Sequence, residues 1–266
     1  MTGTGHVAHA GRGDAPGLAV NGVTVRIGGI SALSDVSFDV GQGELLGIIG
    51  PNGAGKTTLF DVISGFRKSS AGTIHIGGAD ATDRTPLWRA RHGLRRTFQR
   101  QQVIGTLSVE ENLLLAQEWR GGGGGMLADA VALPARRHRE RDRRQRVREV
   151  MALCGLEGLA AVPAGVLPIG QARMLEFGRA IVDGARVLLL DEPTSGVSEA
   201  EAEKLTGAIE LVRKEEGCSV LLVEHDVGLV MRVATRVLVL NLGSVLAIGP
   251  PAEVRANEAV QSSYLG

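Results

Sequence analysis

Apolar and polar side chains alternate along two segments near the start of the chain. The alternation covers residues 23–27 and 36–40, where valine, isoleucine and phenylalanine are separated by polar residues. Ile74 and Ile76 mark a third, shorter segment of the same kind. A period of two is typical of strands with one buried face, so these segments predict a small antiparallel β layer.

Continuous apolar runs predict a second kind of strand. They cover residues 45–49, 187–190 and 220–223. Such runs are typical of strands that are buried on both faces of a parallel sheet. A strand-like piece also begins at residue 94 and leads into polar residues around Gln99. The two kinds of strand together predict an α/β fold.

Local signals place helices and a closing hairpin among these strands. Ser108 is followed three residues later by Glu111, ahead of an apolar run, which is the capping-box signature of a helix start. Two apolar runs separated by a short turn, at residues 236–240 and 245–249, predict a hairpin. A short helix is expected over residues 251–257.

A glycine-rich loop connects the first buried strand to a helix predicted over residues 58–64. It matches G-x-x-x-x-G-K-[ST] in full, and that strand–loop–helix context is the one that a phosphate-binding loop requires. Its backbone N–H groups and the positive end of the helix dipole favour a polyphosphate. Lys56 is expected to contact the β- and γ-phosphates, and the Thr57 hydroxyl is expected to bind Mg²⁺. The loop consists of Gly50, Pro51, Asn52, Gly53, Ala54, Gly55, Lys56, Thr57 and Thr58.

Charged residues follow two of the buried strands. Asp191 and Glu192 end the strand predicted at residues 187–190, at the edge of an open α/β sheet where ligands bind. In a phosphate-loop protein, Asp191 would hold the Mg²⁺ shell and Glu192 would accept a proton from the attacking water. The alternative is a solvent-exposed acidic strand end. His225 follows the other strand, where it could hydrogen-bond a phosphate or cap a helix.

One further helix is predicted to start at an anion-binding end. A proline and a glycine precede this apolar helical segment, as is typical of a helix N-terminus. The segment that leads into it consists of Leu167, Pro168, Ile169, Gly170 and Gln171.

Composition excludes several classes of protein. The 266 residues are 44% hydrophobic and 22% charged, with a formal net charge of zero, so nothing in the overall charge favours nucleic acid or acidic lipid. Two cysteines, Cys154 and Cys218, lie in unrelated contexts and predict neither a disulfide framework nor a zinc site. No apolar run reaches the roughly 18 residues of a membrane span, and the N-terminus does not resemble a secretory signal. We therefore expect a soluble cytoplasmic chain that a partner would have to bring to a membrane.

Three segments have biased composition. Residues 1–16 lack apolar periodicity and are predicted to be a disordered tail, although His6 and His9 could also bind a metal. The glycines at residues 121–125 predict a flexible connection. Residues 135–149 predict a strongly basic helix, which could contact nucleic acid or acidic head groups. The alternative is a solvated helix with ion pairs such as Arg136/Glu140 and Arg139/Asp142.

The order of these motifs resembles the ATP-binding subunit of an ABC transporter. The phosphate loop is followed by the Gln99 loop, a signature at residues 167–171, the Asp191–Glu192 strand end and His225. Within that family the chain looks most like the ATPase of branched-chain amino acid importers. This closer resemblance lies in residues 27–33, residues 96–99, the long insertion before the signature, and the ending over residues 260–266.

The resemblance implies a fold and a reaction. The fold would be a P-loop NTPase (RecA-like) core with an antiparallel β subdomain and an inserted α-helical subdomain at about residues 100–180, all within an ATPase domain over residues 17–266. Two such chains would close head to tail on two ATP molecules and hydrolyse them with Mg²⁺. Glu192 would be the general base, His225 would hold the γ-phosphate, and the Mg²⁺ would be bound by Thr57, Gln99 and Asp191, with Gln99 also contacting the attacking water.

The implied partners are transmembrane permease subunits, a second ATPase subunit that is identical or different, and, indirectly, an extracytoplasmic substrate-binding protein. The chain would lie at the cytoplasmic face of the plasma membrane. The cargo stays open between branched-chain amino acids, other amino acids, amides and urea. A soluble ABC-type ATPase acting on nucleic acid or ribosomes is the alternative, although such relatives usually carry two ATPase units or a long coiled coil. A regulatory module without turnover is disfavoured because Glu192 and His225 are both present.

The chain departs from the family pattern at three positions. Pro168 replaces the usual signature serine, Ser198 replaces an aspartate after the catalytic Glu192, and Ile27 stands where an aromatic residue usually stacks on adenine. Proline offers neither a hydroxyl nor an N–H group to a γ-phosphate, and a hydrogen bond to a charged group contributes about 1.5–3 kcal/mol. We therefore expect a weakened composite site and hypothesise that this chain pairs with a second, different ATPase.

Overall fold

A computed structural model describes residues 15–97, 102–117 and 133–262, with the backbone alone at residues 133–137 and 139. Residues 1–14 of the predicted tail lie outside this description, and so do Gln99 and the glycines at 121–125. The strands are β1 (Leu18–Ile27), β2 (Ile30–Val40), β3 (Leu45–Ile49), β4 (Ala71–Ile76), β5 (Ala79–Asp80), β6 (Leu94–Arg96), β7 (Val187–Asp191), β8 (Ser219–Val223), β9 (Arg236–Asn241) and β10 (Ser244–Gly249). The helices are α1 (Lys56–Ser64), α2 (Pro86–Arg91), α3 (Val109–Ala116), α4 (Leu133–Leu153), α5 (Ile169–Ile181), α6 (Glu199–Glu215), α7 (Val227–Val233), α8 (Pro251–Ala256) and α9 (Glu258–Val260).

The described strands form two sheets, as the two apolar patterns predict. The alternating segments build an antiparallel sheet in the order β2-β1-β4-β5. The continuous apolar segments build a second sheet in the order β10-β9-β3-β8-β7-β6, which is parallel except for the β9–β10 hairpin. All residues of β3, β7 and β8 are buried, as expected for strands covered on both faces.

The large sheet has a separate apolar core on each face. On one face α1 packs between the two sheets, with Phe60 and Ile63 fully buried. On the other face α3, α4, α5 and α6 pack against the sheet around Phe177 and Leu188. Because α1 is enclosed in this way, the loop that precedes it is held at the carboxyl edge of the parallel strands, where β7 and β8 also end.

A buried arginine anchors the far end of α1. The Arg89 side chain is 2% exposed, and its guanidinium donates to the carbonyls of Val62 at 2.6 Å and Ile63 at 2.7 Å. It also donates to the carbonyl of Thr82 at 3.0 Å. A cation at a helix C-terminus satisfies carbonyls that have no partner within the helix and interacts favourably with the dipole. Arg89 thus fixes α1 to the segment that follows the antiparallel sheet.

The basic helix α4 forms ion pairs within the fold. Arg144 contacts Glu140 at 2.9 Å and Glu110 of α3 at 3.6 Å, and Arg146 contacts Glu216 at 2.5 Å. The predicted pairs Arg136/Glu140 and Arg139/Asp142 involve side chains outside the described residues. The pairs that are described fit the solvated-helix interpretation, with arginines that also connect α4 to neighbouring helices.

Candidate active site

A cavity of about 650 Å³ lies where the phosphate loop meets the ends of β7 and β8. Two hairpin tips, between β1 and β2 and between β9 and β10, close its sides. The cavity thus collects the chemistry-bearing segments that the sequence separates by more than a hundred residues. It is lined by Ile30, Ser31, Ala32, Asn52, Gly53, Ala54, Gly55, Lys56, Thr57, Thr58, Glu192, His225, Leu242 and Gly243.

The phosphate loop is fixed from outside as well as from within. The Ala54 N–H donates to the Pro51 carbonyl at 3.1 Å, and the Gly243 N–H donates to the Ala54 carbonyl at 2.9 Å. Gly55 has a φ of 106°, and a Cβ at this position would lie 2.8 Å from the Ala32 carbonyl oxygen. Only glycine adopts this conformation at so close an approach. Contacts within the chain therefore hold the loop in its curled conformation.

Lys56 is the cation of this loop. Its side chain is 9% exposed, and its Nζ donates to the carbonyls of Gly50 at 2.6 Å and Pro51 at 3.1 Å. Burial lowers the pKa of the Lys56 ammonium, and the charges of Glu192 and Asp191 partly oppose that shift. An anion of the size of a phosphate could replace the two carbonyls as the acceptor.

Inside the cavity, a side-chain contact joins Glu192, which follows β7, to His225, which lies two residues after β8. Glu192 Oε1 lies 2.7 Å from His225 Nε2, with the glutamate side chain 15% exposed and the histidine 59% exposed. Glu192 has a φ of 51°, a left-handed conformation that is costly for a residue with a side chain. Its N–H donates to the Val223 carbonyl of β8 at 2.9 Å. Such strain persists only where the surroundings hold the residue in place.

Asp191 lies behind the cavity wall and is 4% exposed. Burial raises the pKa of its carboxyl group, while Arg96 at 3.3 Å opposes the rise. The same guanidinium contacts Asp61 of α1 at 2.7 Å. The sequence pattern contained no signal for Asp61, because the contact depends on how α1 packs against β6.

The cavity lining does not include every predicted site residue: Ile27, the signature segment, Asp191, Gly50 and Pro51 lie away from it. The lining contains Ile30, which pairs with Ile27 across the β1–β2 turn, in place of Ile27 itself. Ile27 itself lies outside the lining, and its expected adenine contact stays a prediction. Gln99 lies outside the described residues, so its predicted role stays a prediction.

The signature segment begins α5, apart from the cavity lining. The helix starts at Ile169, so Gly170 lies in its first turn and not before the helix as predicted. The φ of −53° at Pro168 suits the residue that precedes a helix. A Cβ on Gly170 would lie 1.9 Å from Glu201 Oε1, so the glutamate side chain packs directly on this glycine. Glu201 in turn forms a capping box with Ser198 at the start of α6.

Two polar residues near the cavity were missed by the sequence reasoning. Thr194 donates to the buried Glu224 carboxylate from its N–H at 2.8 Å and from its hydroxyl at 2.7 Å. An acidic residue directly before His225, at the end of a buried strand, was the available signal for Glu224. Its partner could not be read from the sequence, because it lies 30 positions away.

The part of the chain that the structure describes lacks two features, a metal-binding cluster and a membrane-spanning helix. No group of three or more histidine, cysteine, aspartate or glutamate side chains is placed to hold a metal ion there. Nor is any helix in that part long and apolar enough to cross a membrane. Cys154 and Cys218 are buried and unpaired, and burial raises the pKa of each thiol to about 12.

Comparison with known proteins supports the interpretation of the cavity. The family profile described as "ABC transporter" matches residues 33–195, and that of the "Branched-chain amino acid ATP-binding cassette transporter" matches residues 244–266. The high-affinity branched-chain amino acid transport ATP-binding protein BraF of Pseudomonas aeruginosa is 37% identical, covering 94% of this chain and 98% of that protein. The protein LivG of Escherichia coli, with the same description, is 36% identical over the same shares.

Solved structures agree with these relatives. The ADP conformation of MJ1267, an ATP-binding cassette of an ABC transporter, superimposes with a TM-score of 0.80 at 27% identity, over 95% of this chain and 99% of that one. The dimeric MJ0796, a bacterial ABC transporter cassette, has a TM-score of 0.72 at 25% identity, over 88% of this chain and 98% of that one. The relatives are transport proteins, which removes the nucleic-acid and ribosome alternative. The chain therefore belongs to the ABC transporter family, and it is an ATP-binding subunit with the P-loop NTPase fold and the ATPase activity of that family.

Proposed function

We propose that this chain is the ATP-hydrolysing subunit of an ABC importer for branched-chain amino acids or related small polar substrates. The main support is that relatives named for branched-chain amino acid transport match 94% of the chain. A family profile of the same description matches the C-terminal segment separately. In this proposal, ATP closes a dimer of ATPase subunits, and the closure moves the permeases.

The cavity supports the catalytic part of the proposal. The loop N–H groups and Lys56 would hold the ATP phosphates. Glu192 would accept the proton of the attacking water, because it lies at the carboxyl end of β7 inside the cavity. His225, 2.7 Å from Glu192, would contact the γ-phosphate and hold the glutamate in place.

The donor set suits Mg²⁺ bound together with ATP. Thr57 offers a hydroxyl at the cavity wall, and Asp191 offers a carboxylate at the end of β7, behind that wall, from where it would hold the ion through a water. Magnesium prefers oxygen ligands and is usually held by one or two protein groups together with substrate phosphates and water. Thr57, Asp191 and Gln99 would hold the ion, which would neutralise charge on the transferred phosphate.

The partners follow from membership in a transport system. Permease subunits would bring the chain to the cytoplasmic face of the plasma membrane, and a substrate-binding protein would act with them on the other side. A second ATPase subunit would complete each composite site. Because Pro168 and Ser198 depart from the usual pattern, we infer that this second subunit differs from the present chain and carries a complete signature.

Capture of the chain from membranes tests the assembly. A tagged Glu192→Gln variant is purified from its own cells with ATP, and the wild-type chain with ADP is the control. We expect mass spectrometry to recover two permeases and a second ATPase with the trapped variant. Recovery of the same chain twice, with no second ATPase, would contradict the mixed dimer, and recovery of ribosomal components without a membrane protein would overturn the transport function.

Uptake by cells that lack this chain tests the cargo. Radiolabelled leucine, isoleucine and valine are compared with alanine and urea, and the gene is restored either as wild type or as Glu192→Gln. We expect branched-chain amino acid uptake to fall and to return only with the wild type. Unchanged uptake of all three, together with lost uptake of alanine or urea, would reassign the cargo and leave the ATPase function intact.

A further inference from the structure

We propose that Thr194 and Glu224 form a clamp that positions Glu192 and His225 for hydrolysis. The clamp joins the loop after β7 to the residue that follows β8. It rests on the proposed catalytic roles of Glu192 and His225. Neither Thr194 nor Glu224 lines the cavity, so both would act through those two residues.

The hydrogen bonds of Glu224 define the clamp. The side chain is 4% exposed, and one carboxylate oxygen, Oε1, accepts both the N–H of Thr194 at 2.8 Å and its hydroxyl at 2.7 Å. The other oxygen accepts the N–H of His225 at 3.3 Å. A carboxylate is rarely buried without such partners. One side chain therefore contacts the loop of the proposed base and the backbone of the proposed phosphate ligand.

The clamp acts where the backbone is strained. Glu192 has a φ of 51°, and Thr194 lies two residues after it. The Glu192 N–H is held by the Val223 carbonyl at 2.9 Å, and its own carbonyl accepts the Ser195 N–H at 3.1 Å. Thr194, bound twice to Glu224, fixes the loop at a further point. A left-handed glutamate is retained only where several such contacts determine the conformation.

The catalytic contact depends on this arrangement. Glu192 Oε1 and His225 Nε2 are 2.7 Å apart, although the two residues come from different strands. The clamp joins the segments that follow the same two neighbouring strands, β7 and β8, and neither of its residues lines the cavity. Without it, the Glu192 loop could relax toward an ordinary backbone conformation and move its carboxylate away from His225. A misplacement of about 1 Å at a reacting group can cost roughly a hundredfold in rate.

Substitution of the threonine hydroxyl is the direct test, in the assembled complex captured from membranes. Thr194→Val keeps the volume and removes the hydroxyl bond to Glu224, whereas Thr194→Ser keeps that bond. We expect Thr194→Val to lower kcat by at least about tenfold with the Kd of a fluorescent ATP analogue within about twofold, since the change affects positioning and not binding. Thr194→Ser should restore turnover to within about threefold of the wild type.

Thr206→Val is the matched control. The Thr206 hydroxyl bonds to the Ala202 carbonyl at 3.0 Å within α6, away from Glu192 and His225. Equal kcat in Thr194→Val and the wild type would overturn the clamp. So would an equal loss in Thr194→Val and Thr194→Ser, or a loss in Thr194→Val that Thr206→Val reproduces.

Glu224→Gln provides a second variant that keeps most of the shape. The amide oxygen can still accept both Thr194 bonds, but the amide N–H₂ would face the N–H of His225. We expect a smaller loss of kcat in Glu224→Gln than in Thr194→Val. A loss of kcat in Glu224→Gln without any loss in Thr194→Val would contradict the proposal. Full turnover in Glu192→Gln would instead refute the proposed base, a result that is separate from any result at Thr194.

Discussion

The cavity and the signature segment at the start of α5, the two regions of the proposed ATP site, are built in different ways. At the cavity, Lys56, Glu192 and His225 are held by hydrogen bonds that come from the loop, the sheet and a hairpin of the same chain. At the signature, α5 begins after Pro168, which has no side-chain acceptor to cap the helix. Helices α3 and α6 both begin with a complete capping box, by contrast.

This difference shows which part of the site one chain can complete by itself. The polar groups of the cavity are partly buried and are held by hydrogen bonds within one chain. The first turn of α5 keeps the positive end of the helix dipole without a capping side chain at the preceding residue. A helix N-terminus favours an anion, and here the Glu201 carboxylate already packs on Gly170 in the first turn, where an anion from another molecule would have to displace it. In the proposed dimer that anion is the γ-phosphate on the partner subunit.

The largest expected effect is at the cavity. Glu192→Gln removes the proposed base while keeping the shape of the side chain and an acceptor for His225. We expect kcat to fall by about 10²–10⁴, the usual contribution of a general base, with nucleotide binding retained. Steady-state hydrolysis and equilibrium binding of a fluorescent ATP analogue measure the two parts.

Glu203→Gln on the exposed side of α6 is the control for this variant, and it should hydrolyse ATP at the wild-type rate. Turnover above about a tenth of the wild-type value in Glu192→Gln would place the base elsewhere and make the cavity a binding site only.

A smaller effect of opposite sign is expected at the signature. Pro168→Ser adds a hydroxyl that can cap α5 and donate to a bound phosphate. Because a hydrogen bond to a charged group contributes about 1.5–3 kcal/mol, we expect turnover at the site completed by this signature to rise by roughly tenfold or more. Hydrolysis by the captured complex is the measurement.

Pro250→Ser is the matched control for that change, since Pro250 also precedes a helix without a capping side chain. It should alter stability and leave turnover unchanged. An increase in both variants, or in neither, would contradict a specific role for Pro168 at a composite site.

The smallest effect concerns the contact between the start of α6 and the signature segment. Ser198→Ala removes the hydroxyl that caps α6 by accepting the Glu201 N–H at 3.4 Å. It also removes the hydroxyl's bond to the Glu201 carboxylate at 2.8 Å, and this carboxylate packs on Gly170. We expect a loss of about 0.5–2 kcal/mol in the free energy of unfolding, measured by urea denaturation, with a modest loss of turnover.

Ser108→Ala, in the equivalent capping box of α3, should cost a similar amount of stability and no turnover. A loss of turnover in both variants would mean that the effect of Ser198 is one of stability alone.

Most of the fold and half of the site could be predicted because their signals are local. The alternating and continuous runs predicted two sheets, and the strand–loop–helix context predicted the conformation around Lys56. The capping box at Ser108 was predicted from the spacing of two residues. Ser198 carries the same spacing with Glu201, so the capping box of α6 also has a local signal, although Ser198 was interpreted only as the replacement of an aspartate.

The remaining parts of the site depend on contacts that no local pattern contains. Ile30 lines the cavity and Ile27 does not, because the β1–β2 turn decides which end of the hairpin faces inward. Arg96 reaches both Asp61 and Asp191 only after α1 has packed beside β6.

The sequence by itself determined which strands are buried on one face and which on both, the phosphate loop, and the identity of the proposed catalytic groups. Periodicity and residue type supply these signals over a few positions. Tertiary structure alone decided that Glu192 takes a left-handed conformation, that it meets His225, and that Thr194 and Glu224 fasten the two loops together. Those contacts join strands that are adjacent in space and about thirty residues apart in the chain. Only the packing of the parallel sheet brings them within hydrogen-bonding distance.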